Sequence, residues 1–197
     1  MSRNRFEEIK RHLHFADNTK APDDPPKDYK FSPLIDQFNK IANKIEPGES
    51  LSVDEQIMPC KGKQSGGLRQ YKPQKPKKWG YKFFLLYSKY GLVHHLELYK
   101  GKHETAVIPD HKLGKSSAVV VRLLQHIKKR VKHKVLFDNW FSSPDLLNHL
   151  SSEGFQALCT VCLCRVPGRF MASDADLKKL GRGAYDCLLY TSPSPRD

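Results

Sequence analysis

Residues 51–84 read LSVDEQIMPCKGKQSGGLRQYKPQKPKKWGYKFF, and this stretch decides how the chain is read. LSVDE alternates apolar and polar residues, which predicts a short strand carrying Asp54. The acids then stop. From Gln56 to Leu96 there is none, against nine Lys or Arg. Prolines and glycines mark a loop running to Gly80. YKFFLLYS (81–88) and GLVHHLELYKG (91–101) predict two strands joined by a turn at Lys89-Tyr90-Gly91.

Downstream, Ser116-Ser117 can cap a helix whose apolar stripe is Val120, Leu123, Leu124, Ile127 and Val131. KVLFD (134–138) predicts a short buried strand ending in Asp138. Ser143-Pro144-Asp145 starts a further helix, with an anion at its positive end, and Gly154 can close it. FQALCTVCL (155–163) is another apolar strand. Three strands, helix, strand, helix, strand is the order of a mixed α/β sheet.

Upstream, residues 3–14 put Phe6, Ile9 and Leu13 on one helical face, with Ser2 as cap. A Pro- and Asp-rich linker spans 20–30. Ser32 and Pro33 predict the cap and first residue of a second helix, striped by Leu34, Phe38, Ile41 and Ile45 and stopped by Pro47-Gly48.

The composition narrows the class. The chain has 197 residues, 39% of them hydrophobic, enough to bury a core. Lys and Arg number 34 against 21 acids, a formal charge of +13. That surplus calls for a polyanionic partner, nucleic acid foremost, with a membrane surface as the rival. No segment approaches the roughly 20 apolar residues of a spanning helix. A soluble nuclear protein is expected. The five cysteines (Cys60, Cys159, Cys162, Cys164 and Cys187) are odd in number and three are crowded. This is no secreted disulfide framework, and no second pair completes a zinc site, so they read as small buried strand residues.

Asp54 and Asp138 each lie at or near the end of an expected buried strand. A carboxylate there is costly unless paired or bound to a cation. One reading is a local cap or an ion pair with lysine. The other is a hard-cation site in which Mg²⁺ takes two carboxylates plus phosphate oxygens. The basic stretch is similarly double-edged. Lys61, Lys63, Arg69, Lys72, Lys75, Lys77, Lys78 and Lys82 are interleaved with Tyr71, Trp79 and Tyr81. Bases can stack on such aromatics and phosphates can bind the cations, or the face can simply be solvated. A second run, from Lys112 to Lys134, adds eight cations without an acid.

These residues resemble the signature blocks of piggyBac-type transposases and the host proteins derived from them. The resemblance takes in SRNRFEEIKRHLHFADN, the 51–84 block, YKGK at 99–102, FDNWFSSPDLLNHL and GRGAYD, covering residues 2–186 in order. It implies an α/β, ribonuclease-H-like core that cuts and joins DNA with three aspartates and a divalent metal, Mg²⁺ or Mn²⁺. The first two acids map onto Asp54 and Asp138, as catalytic residues and metal ligands. Lys61, Lys63, Arg69, Lys72, Lys75, Lys77, Lys78, Trp79 and Lys82 are then DNA contacts. The family's third acid, in a block resembling KGGVDxxDQ, has no match here. Asp174, Asp176 and Asp186 lie too early and in the wrong context. The family's cysteine-rich zinc domain has no match either.

The expectation is therefore a helical segment over 1–48, a partial core over 49–186, and a non-homologous tail over 187–197. The tail resembles a translated library adapter more than a natural terminus. The resemblance implies transposon-end and target DNA as partners, and a homodimer on DNA. This chain is expected to be an inactive fragment of such a transposase, with a domesticated, non-catalytic DNA-binding protein as the alternative. Five strands with one poorly covered sheet face predict marginal stability.

Overall fold

The computed structural model describes residues 1–60, 67–101, 113–129, 131–166 and 171–186. Two compact units emerge, Met1–Val161 and Cys162–Asp197.

The larger unit is built on a six-stranded mixed sheet, one strand more than expected. The strands are β1 (Ser50–Pro59), β2 (Arg69–Tyr71), β3 (Trp79–Ser88), β4 (Val93–Leu98), β5 (Lys134–Phe137) and β6 (Gln156–Cys159). They run in the order β2-β3-β1-β5-β6, and β4 also pairs with β3. β1 and β3 are antiparallel from Leu51↔Ser88 to Pro59↔Gly80. β5 runs parallel to β1, and β6 parallel to β5. Parallel neighbours require crossovers. Here they contain helices α3 (Lys115–Leu124) and α4 (Pro144–Ser152).

Alternation along β1 assigns its two faces. Leu51 and Val53 enter the main core with Phe84 and Leu86 of β3 and Val135 and Phe137 of β5. α3 supplies Val119, Val120, Leu123 and Leu124 to that core, and α4 supplies Leu146 and Leu150. On the other face, Phe83, Leu85 and Leu98 form a smaller core with Leu68. Helix α2 (Ser32–Ala42) covers part of it, with Ile35 and the preceding Phe31 packed against it. No element covers this second face over β5 and β6 among the described residues, and Leu136 and Leu158 remain exposed there.

Several caps fall where the sequence puts them. Ser2 accepts from the Arg5 amide at the start of α1 (Arg3–His12). Ser143 accepts from Leu146 N, with Pro144 at the first helical position. Gly91 turns the β3–β4 hairpin at φ +78°.

Other expectations are corrected. Ser32 is inside α2, whose cap position is Phe31. The stripe Leu34, Phe38, Ile41 and Ile45 stays exposed, as do Phe6, Ile9 and Leu13 of α1. The sheet side of α2 is carried instead by Ile35, Asn39 and Ala42. Asn39 decides this: its amide donates to the Leu96 carbonyl and accepts from the Leu96 amide, both at 3.0 Å. That satisfies backbone groups on the edge strand β4, a demand that helical periodicity does not register. Ser117 does not cap α3, whose cap position is Gly114, without a side-chain cap. Ser117 is buried and donates to the Phe141 carbonyl at 2.9 Å. Val131 is exposed, outside the α3 stripe. β6 ends at Cys159, so Cys162 and Cys164 leave the strand, and Cys164 is exposed. Cys187 and the tail lie outside the described residues.

The smaller unit contains a 3₁₀ turn at Leu163–Arg165 and helix α5 (Asp174–Lys179). Ser173 caps α5 by accepting from Asp176 N. Asp186 accepts from the Ala172 amide at 2.8 Å.

Two outcomes test this packing. A Cβ at Gly80 would fall on the Met58 carbonyl oxygen and 2.7 Å from Ile57 Cγ2. Gly80→Ala should therefore cost about 1–3 kcal/mol, read as a lower urea midpoint. His94 and His95 on β4 are held below their ordinary 6.5 by burial, His95 also by neighbouring His126. The unfolded chain then takes up protons more readily than the folded one, and stability should fall as pH drops below 6.5. The loss of melting temperature from about pH 7.5 to about pH 5.5 should shrink in His95→Gln.

Candidate active site and nucleic-acid interface

The last parallel pair between β1 and β5 is Val53↔Phe137, with both side chains in the main core. The next residue on each strand is Asp54 and Asp138. Alternation turns both to the opposite, uncovered face, and both are exposed there. Neighbouring strands are spaced about 4.8 Å apart, so pairing alone brings the two carboxylates together. They line one open depression of about 640 Å³ with Ser52, Leu136, Leu158 and Thr160.

Each carboxylate is braced by one oxygen. Asp54 Oδ1 accepts from the Glu55 amide at 2.7 Å, and Asp138 Oδ1 from the Trp140 amide at 3.0 Å. Carboxylates and hydroxyls are hard oxygen donors, suited to Mg²⁺ or Mn²⁺ rather than to zinc. Among the described residues no cluster of three metal-ligating side chains forms. Two carboxylates still fit a cation that completes its shell with water and phosphate oxygens.

Directly behind the acids, on the core face, lies a pair that the sequence reading did not single out. Lys82 and Glu55 form an ion pair, and Lys82 is only 5% exposed. Its ammonium lies 4.3 Å from the Trp140 ring centre, 4.7 Å from Phe84 and 5.7 Å from Tyr99. Burial pushes the Lys82 pKa down, opposed by Glu55 and by the charge of Asp138. For Glu55 burial pushes up, but the bond and charge of Lys82 and the charges of Lys72 and Lys75 together hold the pKa below the usual range. The signal was in the two-residue period. Glu55 is in phase with Leu51 and Val53, and Lys82 with Phe84 and Leu86. Lys82 is therefore buried, unlike its exposed neighbours in sequence, Lys75, Lys77 and Lys78.

Those neighbours form a hairpin. β2 pairs with the start of β3 through Arg69↔Tyr81, Gln70↔Gly80 and Tyr71↔Trp79. Lys72 N donates to the Lys78 carbonyl at 2.7 Å and closes the loop. Lys75, Lys77 and Lys78 are exposed at its tip, and Lys72 is half-buried. Tyr71 and Trp79 meet at 4.8 Å, and the Arg69 guanidinium lies 4.4 Å from the Trp79 ring. Both rings are about half exposed. Lys61 and Lys63 lie outside the described residues.

The Transposase IS4 family model matches residues 1–183. PiggyBac transposable element-derived protein 3 of Homo sapiens is 33% identical over 94% of this chain and 31% of its own length. PiggyBac transposable element-derived protein 2 of Homo sapiens is 30% identical over 93% of this chain and 31% of its own. The chain thus spans about a third of these curated relatives. Among solved structures, a cryo-EM structure of the piggyBac transposase synaptic complex with hairpin DNA matches with a TM-score of 0.70. It covers 89% of this chain and 39% of that one at 22% identity, a likeness of fold.

The two oxygens of Asp138 separate structure from charge. Asp138→Asn keeps an oxygen for the Trp140 amide and should hold the urea midpoint near the parent value. Asp138→Ala loses that bond and should cost about 0.5–1.5 kcal/mol.

Proposed function

Since the chain belongs to the Transposase IS4 family, with piggyBac-derived proteins among its relatives, we propose that it is the part of a piggyBac-type transposase core that carries two of the three acids. The observation that carries this reading is Asp54 beside Asp138 on an open sheet face. Asp54 and Asp138 would hold a divalent cation, Mg²⁺ or Mn²⁺. Held there, such a cation would supply charge neutralisation at a phosphodiester and activation of an attacking oxygen. Ser52 and Thr160 add polar edges to the depression.

DNA is the proposed polyanion, and the β2–β3 hairpin its proposed contact. Lys72, Lys75, Lys77 and Lys78 would neutralise phosphates, while Arg69 and Trp79 present a flat cationic and aromatic edge. Two acids do not complete a three-acid site, so strand cleavage is assigned to a longer chain carrying the third. A second reading has support in the relatives' own names, which describe proteins derived from transposable elements. It is a DNA-binding protein that no longer cuts. Either version acts where DNA is, in the nucleus.

Binding to a labelled duplex across a salt series tests the interface. The slope of log affinity against log salt should fall by nearly one per phosphate contact removed. Replacing Lys75, Lys77 and Lys78 together by Ala should therefore flatten it by about two to three. Mn²⁺-dependent water-proton relaxation tests the acids. It should weaken in Asp54→Asn and Asp138→Asn and survive the lysine changes. Relaxation identical in parent and both Asn variants rules out a cation between the acids.

A further inference from the structure

The two acids are joined through the sheet by an unbroken series of contacts. Asp54 Oδ1 accepts from the Glu55 amide at 2.7 Å. The Glu55 carboxylate pairs with the Lys82 ammonium. That ammonium lies 4.3 Å from the Trp140 ring centre. The Trp140 amide in turn donates to Asp138 Oδ1 at 3.0 Å. Phe84 closes the cage, stacked on Trp140 at 5.5 Å and also beneath the ammonium.

We propose that Lys82 is a positioning residue, setting the placement of Asp54 relative to Asp138 by joining Glu55 on β1 to the Trp140 turn after β5. The proposal rests on the reading of the two acids as a cation site. Three observations support it. Lys82 is nearly sealed from solvent, so its charge is costly and unsuited to general binding. The ammonium faces partners from three segments: Glu55 of β1, Tyr99 beyond β4, and Trp140 of the turn after β5. The β1–β5 pairing ends at Val53↔Phe137, one residue before the acids, so Glu55 and Trp140 each lie just past the last paired residues. A cation–π contact is stronger in a desolvated site than at an exposed one. Residues one step behind metal ligands commonly alter metal affinity 10–100-fold when changed.

The experiment compares the parent chain with Lys82→Met, Lys82→Arg, Trp140→Leu and the double variant Glu55→Gln/Lys82→Met. Lys82→Met leaves Glu55 without its partner and should melt early. The double variant removes both charges and should melt near the parent. A purely structural ion pair would then recover everything. A positioning lysine would not: the double variant and Trp140→Leu should both bind Mn²⁺ about tenfold more weakly. The backbone amide at position 140 should also exchange faster in both. Lys82→Arg should retain most of the Mn²⁺ affinity. Parent-like Mn²⁺ affinity and Trp140 exchange in the double variant overturn the proposal. If the parent itself binds no Mn²⁺, the cation reading fails. The positioning claim is then decided by Trp140 amide exchange alone, with faster exchange in the double variant supporting it and unchanged exchange refuting it.

Discussion

Parallel pairing of β1 with β5 is the constraint on which the candidate site depends. The two strands are far apart in sequence, and Asp54 and Asp138 become neighbours only because Val53 and Phe137 are matched in register. A slip of one residue would turn the whole set of side chains over. In β5 it would carry Val135 and Phe137 out of the main core and put Asp138 in. The hydrophobic effect therefore aligns the acids. The core residues on one face fix the register, and the polar residues on the other inherit it.

That dependence explains which parts were legible. Strand alternation, Pro and Gly punctuation and the Ser143 cap are local signals, and the elements they mark are present. β2 was missed because Arg69–Tyr71 is three residues long inside a loop-like composition. α2 was turned wrongly because its orientation follows Asn39, which serves the backbone of β4. The burial of Lys82 went unread for a related reason. Read by composition it is one more cation in a basic run, and read by phase it lies on the core face. The side-by-side placement of the acids needed a tertiary register, which the family resemblance supplied and single-sequence spacing did not.

The buried charges behind the acids differ in kind from those on the hairpin. An exposed lysine contributes a little to many possible encounters and is screened by salt. Lys82 and Glu55 are held in one geometry, where each makes the other tolerable. The same basic segment thus places its charges in two distinct settings. Lys75, Lys77 and Lys78 meet solvent at the tip, and Lys82 is folded under the site it would serve.

The attachment of the hairpin has an evolutionary consequence. Residues 72–78 project beyond the three residue pairs that join β2 to β3, and none of them belongs to either hydrophobic core. Their charge and length can drift through generations while Asp54, Asp138 and the packing beneath them stay as they are. A lineage could alter the charge this hairpin presents, or lose it, with the register that pairs the two acids left intact and still inheritable.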